Sequence, residues 1–213
     1  LHQSLGHIEP ASRWHKQTME WAQKAMNYHA QADAHFEMSE LALISNDYRT
    51  ALRAAEQGLE VIQMNIGNAA TALLGRGYRL LGASLAMEGR DLAVAEEYLQ
   101  KAVAVHREIE NQADLCAVLF ELGNVAAQRG ELQRALDFYE ESARVAEAER
   151  IHYYLALARN NFAYHSLLLG RVDAAQASIA QGIKIAEAYD LLAALLHLYS
   201  TRGEIYLQLE RWG

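Results

Sequence analysis

Small and large apolar residues recur along the chain in one fixed order. Leu81-Gly82 is followed by Gly89, Leu122-Gly123 by Gly130, Ala163 by Gly170 and Gly203 by Glu210, each pair seven residues apart. Alanine comes five or six residues after the second member, at Ala95, Ala135 and Ala175. Ala102, Ser142 and Gly182 follow, twelve or thirteen residues after it. A weaker copy reads Ser39, Asn46, Ala51, Ala55 and Gly58, and a large residue opens the second half of each copy at Tyr48, Leu92, Leu132, Val172 and Trp212.

This order reads as paired helices. A small residue on helix A lets helix B of the same pair lie close, and the small residues of B admit the next helix, ridge into groove. The glycine seven residues on sits where A ends, because glycine adopts left-handed geometry at least cost. The pattern predicts an opening helix near 12–29, with Ser12 as its N-cap just after Pro10. Helices then follow near 32–45, 48–65, 69–88, 92–110, 113–129, 132–148, 152–169, 172–188 and 191–209, divided by turn signals such as Asn46-Asp47, Gly89-Arg90-Asp91, Gly130-Glu131 and Gly170-Arg171. The expected organisation is a single array over residues 1–213, with repeats at about 32–65, 69–110, 113–148 and 152–188 and an incomplete one at 191–213. The chain opens at Leu1 without methionine and stops inside a repeat, so it is expected to be a piece of a longer protein.

From about Arg13 to Trp212 this order resembles the tetratricopeptide repeat. The resemblance implies an all-α fold, a right-handed superhelical solenoid of antiparallel helix pairs with nine to ten helices. The close-approach position recurs at Ser39, Gly82, Gly123, Ala163 and Gly203, in steps of 43, 41, 40 and 40 residues. The family's usual period is about 34 residues, so the extra length is expected late in helix B or in the link to the next helix A. Longer repeats of this kind resemble those of kinesin light chains and of sensor regions in large bacterial ATP-dependent transcription activators, the maltose-regulon activator among them. The proline that usually closes a repeat is missing from every copy.

Composition narrows the function. Of 213 residues 52% are hydrophobic and 22% charged, enough apolar surface for a large core, and proline occurs once. The net charge is -8 with both signs interspersed, which disfavours direct gripping of nucleic-acid phosphates. No apolar run approaches the roughly 18 residues of a membrane span. Cys116 stands alone, so no internal disulfide forms, and a reducing, cytoplasmic location is expected.

Candidate chemistry is sparse. Gly75-Arg76-Gly77 falls in a predicted helix and reads as a close-packing device, without the lysine of a phosphate loop. Nine histidines are scattered without HExxH spacing, His29 and His35 are expected to straddle a turn, and Cys116 reads as a buried structural thiol. Trp14, Trp21, Tyr98, Tyr139 and Tyr154 are expected in core or inter-repeat packing, and of Tyr153-Tyr154 one is expected buried and one exposed. No enzyme, cofactor or metal is expected.

In the tetratricopeptide family the A helices line the concave groove. Carried over, one row of groove positions is Asp33, Arg76, Ala117, Leu157 and His197. A second is Phe36, Arg79, Phe120, Asn160 and Ser200, and a third is Glu40, Ala83, Asn124, Tyr164 and Glu204. Phe36, Arg76, Arg79, Phe120, Asn124, Asn160, Tyr164 and His197 are the candidate ligand residues: aromatics as anchors, amides for a peptide backbone, arginines for a carboxylate. Arg76, Arg79, Asn124 and Asn160 together distantly resemble the carboxylate clamp of chaperone-binding members. The expected function is a non-catalytic protein- or peptide-binding scaffold within a bacterial regulatory or signalling protein. The alternative is a small-molecule effector-sensing domain of a transcription activator. Uncapped solenoid ends are compatible with a homodimer.

Overall fold

The computed structural model describes residues 14–67, 71–89 and 91–212. Pro10 and Ser12, the expected start of the first helix, lie outside the described residues. Those residues form ten helices and no strand. They are α1 (14–24), α2 (Tyr28–Ile44), α3 (Tyr48–Asn65), α4 (Thr71–Glu88), α5 (Leu92–Glu108), α6 (Gln112–Gln128), α7 (Leu132–Ala148), α8 (His152–Leu168), α9 (Val172–Ala188) and α10 (Leu192–Trp212). From α5 onward helices begin at 92, 112, 132, 152, 172 and 192, so the 40-residue period is two identical strides. Each stride through α9 is a 17-residue helix, about 25 Å long, plus three turn residues. The extra length therefore falls equally on both helices of a repeat, and not on helix B alone.

The turn chemistry explains this regularity. The residue after the C-cap adopts left-handed φ at Asn46 (59°), Gly89 (70°), Gly130 (76°) and Gly170 (72°), as the A-to-B glycine pattern requires. The B-to-A turns do the same without glycine, at Met26 (51°), Glu110 (55°), Arg150 (58°) and Asp190 (51°). The next N–H then reaches back to close the turn: Glu131 N donates to the Ala126 carbonyl at 2.9 Å, and Ile151 N to Ala146 at 2.8 Å. That same residue starts the next helix. Asn27, Asp47, Asp91 and Asn111 cap theirs with a side-chain oxygen. The turn at Met26-Asn27 divides the expected opening helix, so His29 and His35 both lie on α2 instead of straddling a turn.

The chain divides into two compact units, Leu1–Glu110 and Asn111–Gly213. In the first, α2 packs on α3, α3 on α4 and α4 on α5. Its core gathers Ala32, Phe36, Ala55, Leu59, Ile62, Leu80 and Leu81. In the second, α6 to α10 pack in succession, around Ala126, Ala135 and Tyr139 at one place and Ala163, Ala175, Ile179, Ile183, Leu198 and Ile205 at another. Here α8 also touches both α6 and α10, whereas α7 and α9 make no comparable contact, so the A helices form the inner row of this unit.

Small residues mark the closest approaches. A Cβ on Gly82 would lie 2.7 Å from Leu99, and one on Gly123 would lie 2.4 Å from the Tyr139 ring. A Cβ on Gly75 would lie 2.7 Å from the His106 imidazole. Serines at such contacts also donate to a carbonyl of the neighbouring helix: Ser39 to Ala51, Ser142 to Cys116 and Ser178 to Arg159, at 2.8–2.9 Å. Gly203 has nothing within 4 Å of its missing side chain, so the expected close contact is absent there, and α10 runs on as helix to Trp212 instead of turning near Glu210.

Two expectations about aromatics are corrected. Phe36 is fully buried, its ring filling the space left by Gly58 on α3 and Gly77 on α4, so it belongs to the core and not to a groove. Trp14 and Trp21 are about 70% exposed, not packed, and flank a cleft beside Ala22, Ala25 and Ala30. Tyr139 is buried as expected, and of the adjacent pair Tyr153 is exposed while Tyr154 is half-buried.

Three stability outcomes follow. Arg150→Gly relieves a left-handed, exposed side-chain position and should raise unfolding free energy by about 0.5–1 kcal/mol, read by urea denaturation; an unchanged or lower midpoint would contradict the turn assignment. Gly123→Ala should cost about 1–3 kcal/mol through overpacking, whereas Gly203→Ala should be neutral or stabilising by up to about 1 kcal/mol from helix propensity.

Candidate functional site

The A helices bring the expected groove residues into two separate clusters, one in each unit. In the first, α2 carries Asp33, Glu37 and Glu40 at helical spacing, and α4 carries Arg76 and Arg79. The Arg76 guanidinium meets Glu40 through Nε (3.2 Å) and Nη2 (2.8 Å), and Nη1 donates to Asp33. Arg79 Nη2 donates to the same Glu40 at 2.8 Å. Burial opposes the Arg76 charge, but the hydrogen bond to Glu40 and the charges of Glu40, Asp33 and Glu37 outweigh it, so its pKa lies above the ordinary arginine value. The bidentate carboxylate pairing expected of an arginine clamp is thus already made, with the chain's own Glu40. His15 adds a further contact, 2.9 Å from Glu37.

In the second unit the cluster is built from amides and rings. Asn124, half-buried on α6, accepts from the Tyr139 hydroxyl (2.9 Å) and from Asn161 Nδ2 (3.0 Å), and its own Nδ2 donates to Glu121 at 3.2 Å. Asn160 Nδ2 donates to Asn161 Oδ1 at 3.1 Å. Asn160 is only 8% exposed, and its Oδ1 has no hydrogen-bond partner. His165 Nδ1 donates to the Asn161 carbonyl at 2.7 Å, which fixes the tautomer because a carbonyl only accepts. Burial lowers the His165 pKa against that bond, and burial holds the Tyr139 phenol well above its ordinary value. Rings close the cluster: Phe120 lies 5.8 Å from Tyr139 and 6.0 Å from Tyr154, and Tyr139 lies 5.4 Å from His165.

Of the eight candidate residues, Arg76 and Arg79 meet at one carboxylate, while Phe120 and Asn124 join the amide cluster. Asn160 ends that cluster and is buried, Tyr164 is half-buried, edge-on to His165, and His197 is exposed on α10. Phe36 is in the core. Sequence reasoning missed Glu121, Asn161, Tyr139 and His165 as site residues. A signal for one of them, Asn161, was present in Asn160-Asn161, adjacent poor helix formers in mid-helix.

Other chemistry stays apart from these clusters. Cys116 is buried, with its thiol pushed up to about 11 by burial, and is a packing residue. Among the described residues no three His, Cys, Asp or Glu side chains converge as a metal site requires, and no helix is long and apolar enough to cross a membrane. A cleft of about 280 Å³ between α9 and α10 is lined by Ile179, Ile183, Lys184, Glu187, Arg202 and Ile205.

Comparison with known proteins agrees with this architecture. Residues 69–148 match the family model of the tetratricopeptide repeat. No characterised protein matches the chain by sequence at a significant level. Among solved structures, a Rap protein complexed with Competence and Sporulation Factor superposes with a TM-score of 0.81 at 15% identity, over 99% of this chain and 60% of that one. A kinesin light chain with nearly identical repeats from Podosopora anserina gives 0.65 at 16% identity, covering 89% and 91%. A signal-transduction ATPase with a tetratricopeptide repeat sensor from Pyrococcus horikoshii gives 0.70 at 18% identity, covering 98% and 34%. At these identities the likeness carries the fold, and the chain spans 60% of the Rap protein and 34% of the ATPase.

Asn124→Ala should cost about 1–3 kcal/mol by leaving the buried Tyr139 hydroxyl unpaired. In a Tyr139→Phe background the same change should cost less by about 1 kcal/mol; simple additivity in denaturant titrations would show that this hydrogen bond does not couple the two residues.

Proposed function

We propose that this chain, whose residues 69–148 match the tetratricopeptide repeat, is a non-catalytic docking domain that holds a protein or peptide segment on its A-helix row. We read it as part of a bacterial regulatory or signalling protein acting in the cytoplasm. One observation carries the reading: in the second unit α6, α8 and α10 form an inner row faced with half-buried amides and aromatic rings and with the exposed His197. Such groups recognise an extended chain, since amides match backbone polar groups and rings supply rigid anchors at low entropic cost. The Rap protein of like fold, solved in complex with Competence and Sporulation Factor, supports a binding role for such a fold. The sensor repeats of the ATPase support a regulatory setting. The cleft between α9 and α10 supplies a site for the effector-sensing alternative only if a small molecule occupies it, and its Lys184, Glu187 and Arg202 make its edge polar.

The test compares three baits in native lysate: the unaltered chain, an inner-row variant Tyr164→Ala/His197→Ala, and an outer-helix variant Glu140→Ala/Arg144→Ala on α7. A partner captured by the first and third baits and lost from the second supports docking on the row. Loss only from the α7 variant would move binding to the outer helices and overturn the assignment.

A further inference from the structure

We propose that the second unit carries a ligand site apart from its docking row, a cleft between α7 and α9 that takes one carboxylate on a compact apolar body. It is independent of the docking reading above, since none of its lining residues holds one of the inner-row positions.

The cleft follows from how the helices pack. Both α7 and α9 lie against α8 but make no comparable contact with each other, so a furrow stays open between them. Its volume is about 320 Å³, at the lower end of the ~300–1,000 Å³ of small-molecule sites. Buried Leu155 and half-buried Arg159 of α8 form the floor. Lys184, Ile185 and, at the end of α9, Tyr189 form one wall, and Glu147 of α7 stands at the other edge.

The floor arginine is held in place and has no partner for its charge. Its carbonyl accepts from Ser178 Oγ at 2.9 Å, and its Cβ lies where a side chain on Gly182 would meet it at 3.2 Å, so α9 fixes both backbone and stem. Arg76 and Arg79 share the Glu40 carboxylate, whereas among the described residues no ion pair or side-chain hydrogen bond engages Arg159 or Lys184. Glu147 is the sole acid among the described lining residues, so two cations face one carboxylate and the cleft carries a net positive charge. That balance suits a monoanion, and a guanidinium takes a carboxylate in bidentate fashion. The walls suit an apolar body. Leu155 and Ile185 are aliphatic, and the Tyr189 ring is fixed by a near-parallel stack on His152, with 3.5 Å between centres and 10° between planes. The cleft between α9 and α10 differs: its Arg202 lies over the Tyr199 ring, and its Glu187 accepts from the Tyr199 hydroxyl at 2.7 Å. Lys184, on the crest of α9, lines both clefts, so Arg159 and Arg202 are the residues that tell them apart.

The test is a titration of the ¹⁵N-labelled full chain near neutral pH, following the Arg159 Nε signal and the backbone amides of Lys184, Ile185 and Tyr189. The probes are 3-phenylpropionate, its neutral amide 3-phenylpropanamide, and acetyl-Ala-Phe, which places the same chemistry at a peptide C-terminus. The acid should shift these signals saturably with a Kd of about 1 mM or below, and the amide should bind about ten-fold more weakly or not at all. Tighter binding of acetyl-Ala-Phe than of the acid supports the same carboxylate chemistry with a peptide C-terminus as its source. Arg159→Met keeps the stem against Gly182 and should lose about ten-fold in affinity for the acid, whereas Arg202→Met should lose none. Equal binding of acid and amide overturns the proposal, and that comparison on the unaltered chain stands even where Arg159→Met fails to fold. No saturable shift with the acid overturns it as well, and so does a loss in Arg202→Met without one in Arg159→Met, which would move the anion to the cleft between α9 and α10. None of these outcomes bears on the bait comparison for the inner row, so the two readings fail separately.

Discussion

A three-residue link can reverse one helix into the next only if one of its residues takes the left-handed conformation, so that the following N–H can close on the carbonyls left open behind it. That requirement is met at every described interhelical turn from Met26 to Asp190, by glycine, by asparagine or aspartate, or against the preference of Met, Glu and Arg. Because the link has no slack, each helix within a unit must leave antiparallel to the last and at close range, and helix length becomes the only free variable. Seventeen residues plus three, taken twice, gives the 40-residue period. The wider step between Ser39 and Gly82 falls where α3 and α4 are joined by a longer connection, with Gly67 rather than a three-residue turn at its start.

Close range then decides what fills the interior. Where two backbones approach at a glycine, the facing residue is a large one: Leu99 at Gly82, Tyr139 at Gly123, Phe36 at both Gly58 and Gly77. An aromatic residue on an A helix is therefore not assigned to the groove by its place in the row alone. Phe36 and Phe120 occupy the same row, but Phe36 meets two glycines and sinks into the core, whereas Phe120 meets the rings of Tyr139 and Tyr154 and stays half-buried.

The same distinction sets how much was legible beforehand. Helix existence, the A-to-B turns and the close-packing role of Gly75 and Gly77 were readable because each follows from one residue's own stereochemistry. The B-to-A turns were harder to see: Glu110 and Arg150 hold a left-handed conformation that the short link imposes and their side chains do not advertise. The row positions of Arg76, Arg79 and Asn124 were readable, but their partners were not. Pairing with Glu40 or with Tyr139 depends on which turn of one helix lies beside which turn of another, 36 and 15 residues apart in sequence. Trp14 and Trp21 failed for a related reason, since helical spacing places residues on a face without saying that anything covers it.

What separates the two clusters is whether their polar groups are satisfied. Around Glu40 the groups close on one another: one carboxylate takes both guanidinium groups, and Asp33 takes the remaining edge of Arg76. A network of that kind stabilises the packing of α2 on α4 and has little left to offer a visitor, because any anion that bound Arg76 would first have to displace Glu40. The amide chain behaves differently, because asparagines pass a hydrogen bond along without ending it, and an acceptor at one end forces an acceptor at the other. Its starting point, Glu121, and its branch into the core, the Tyr139 hydroxyl, hold the sequence of donors rigid, so the unmet Asn160 oxygen cannot be relieved by turning a single side chain. The amide chain therefore orders the packing of α6 against α8 at the cost of one buried acceptor left unmet.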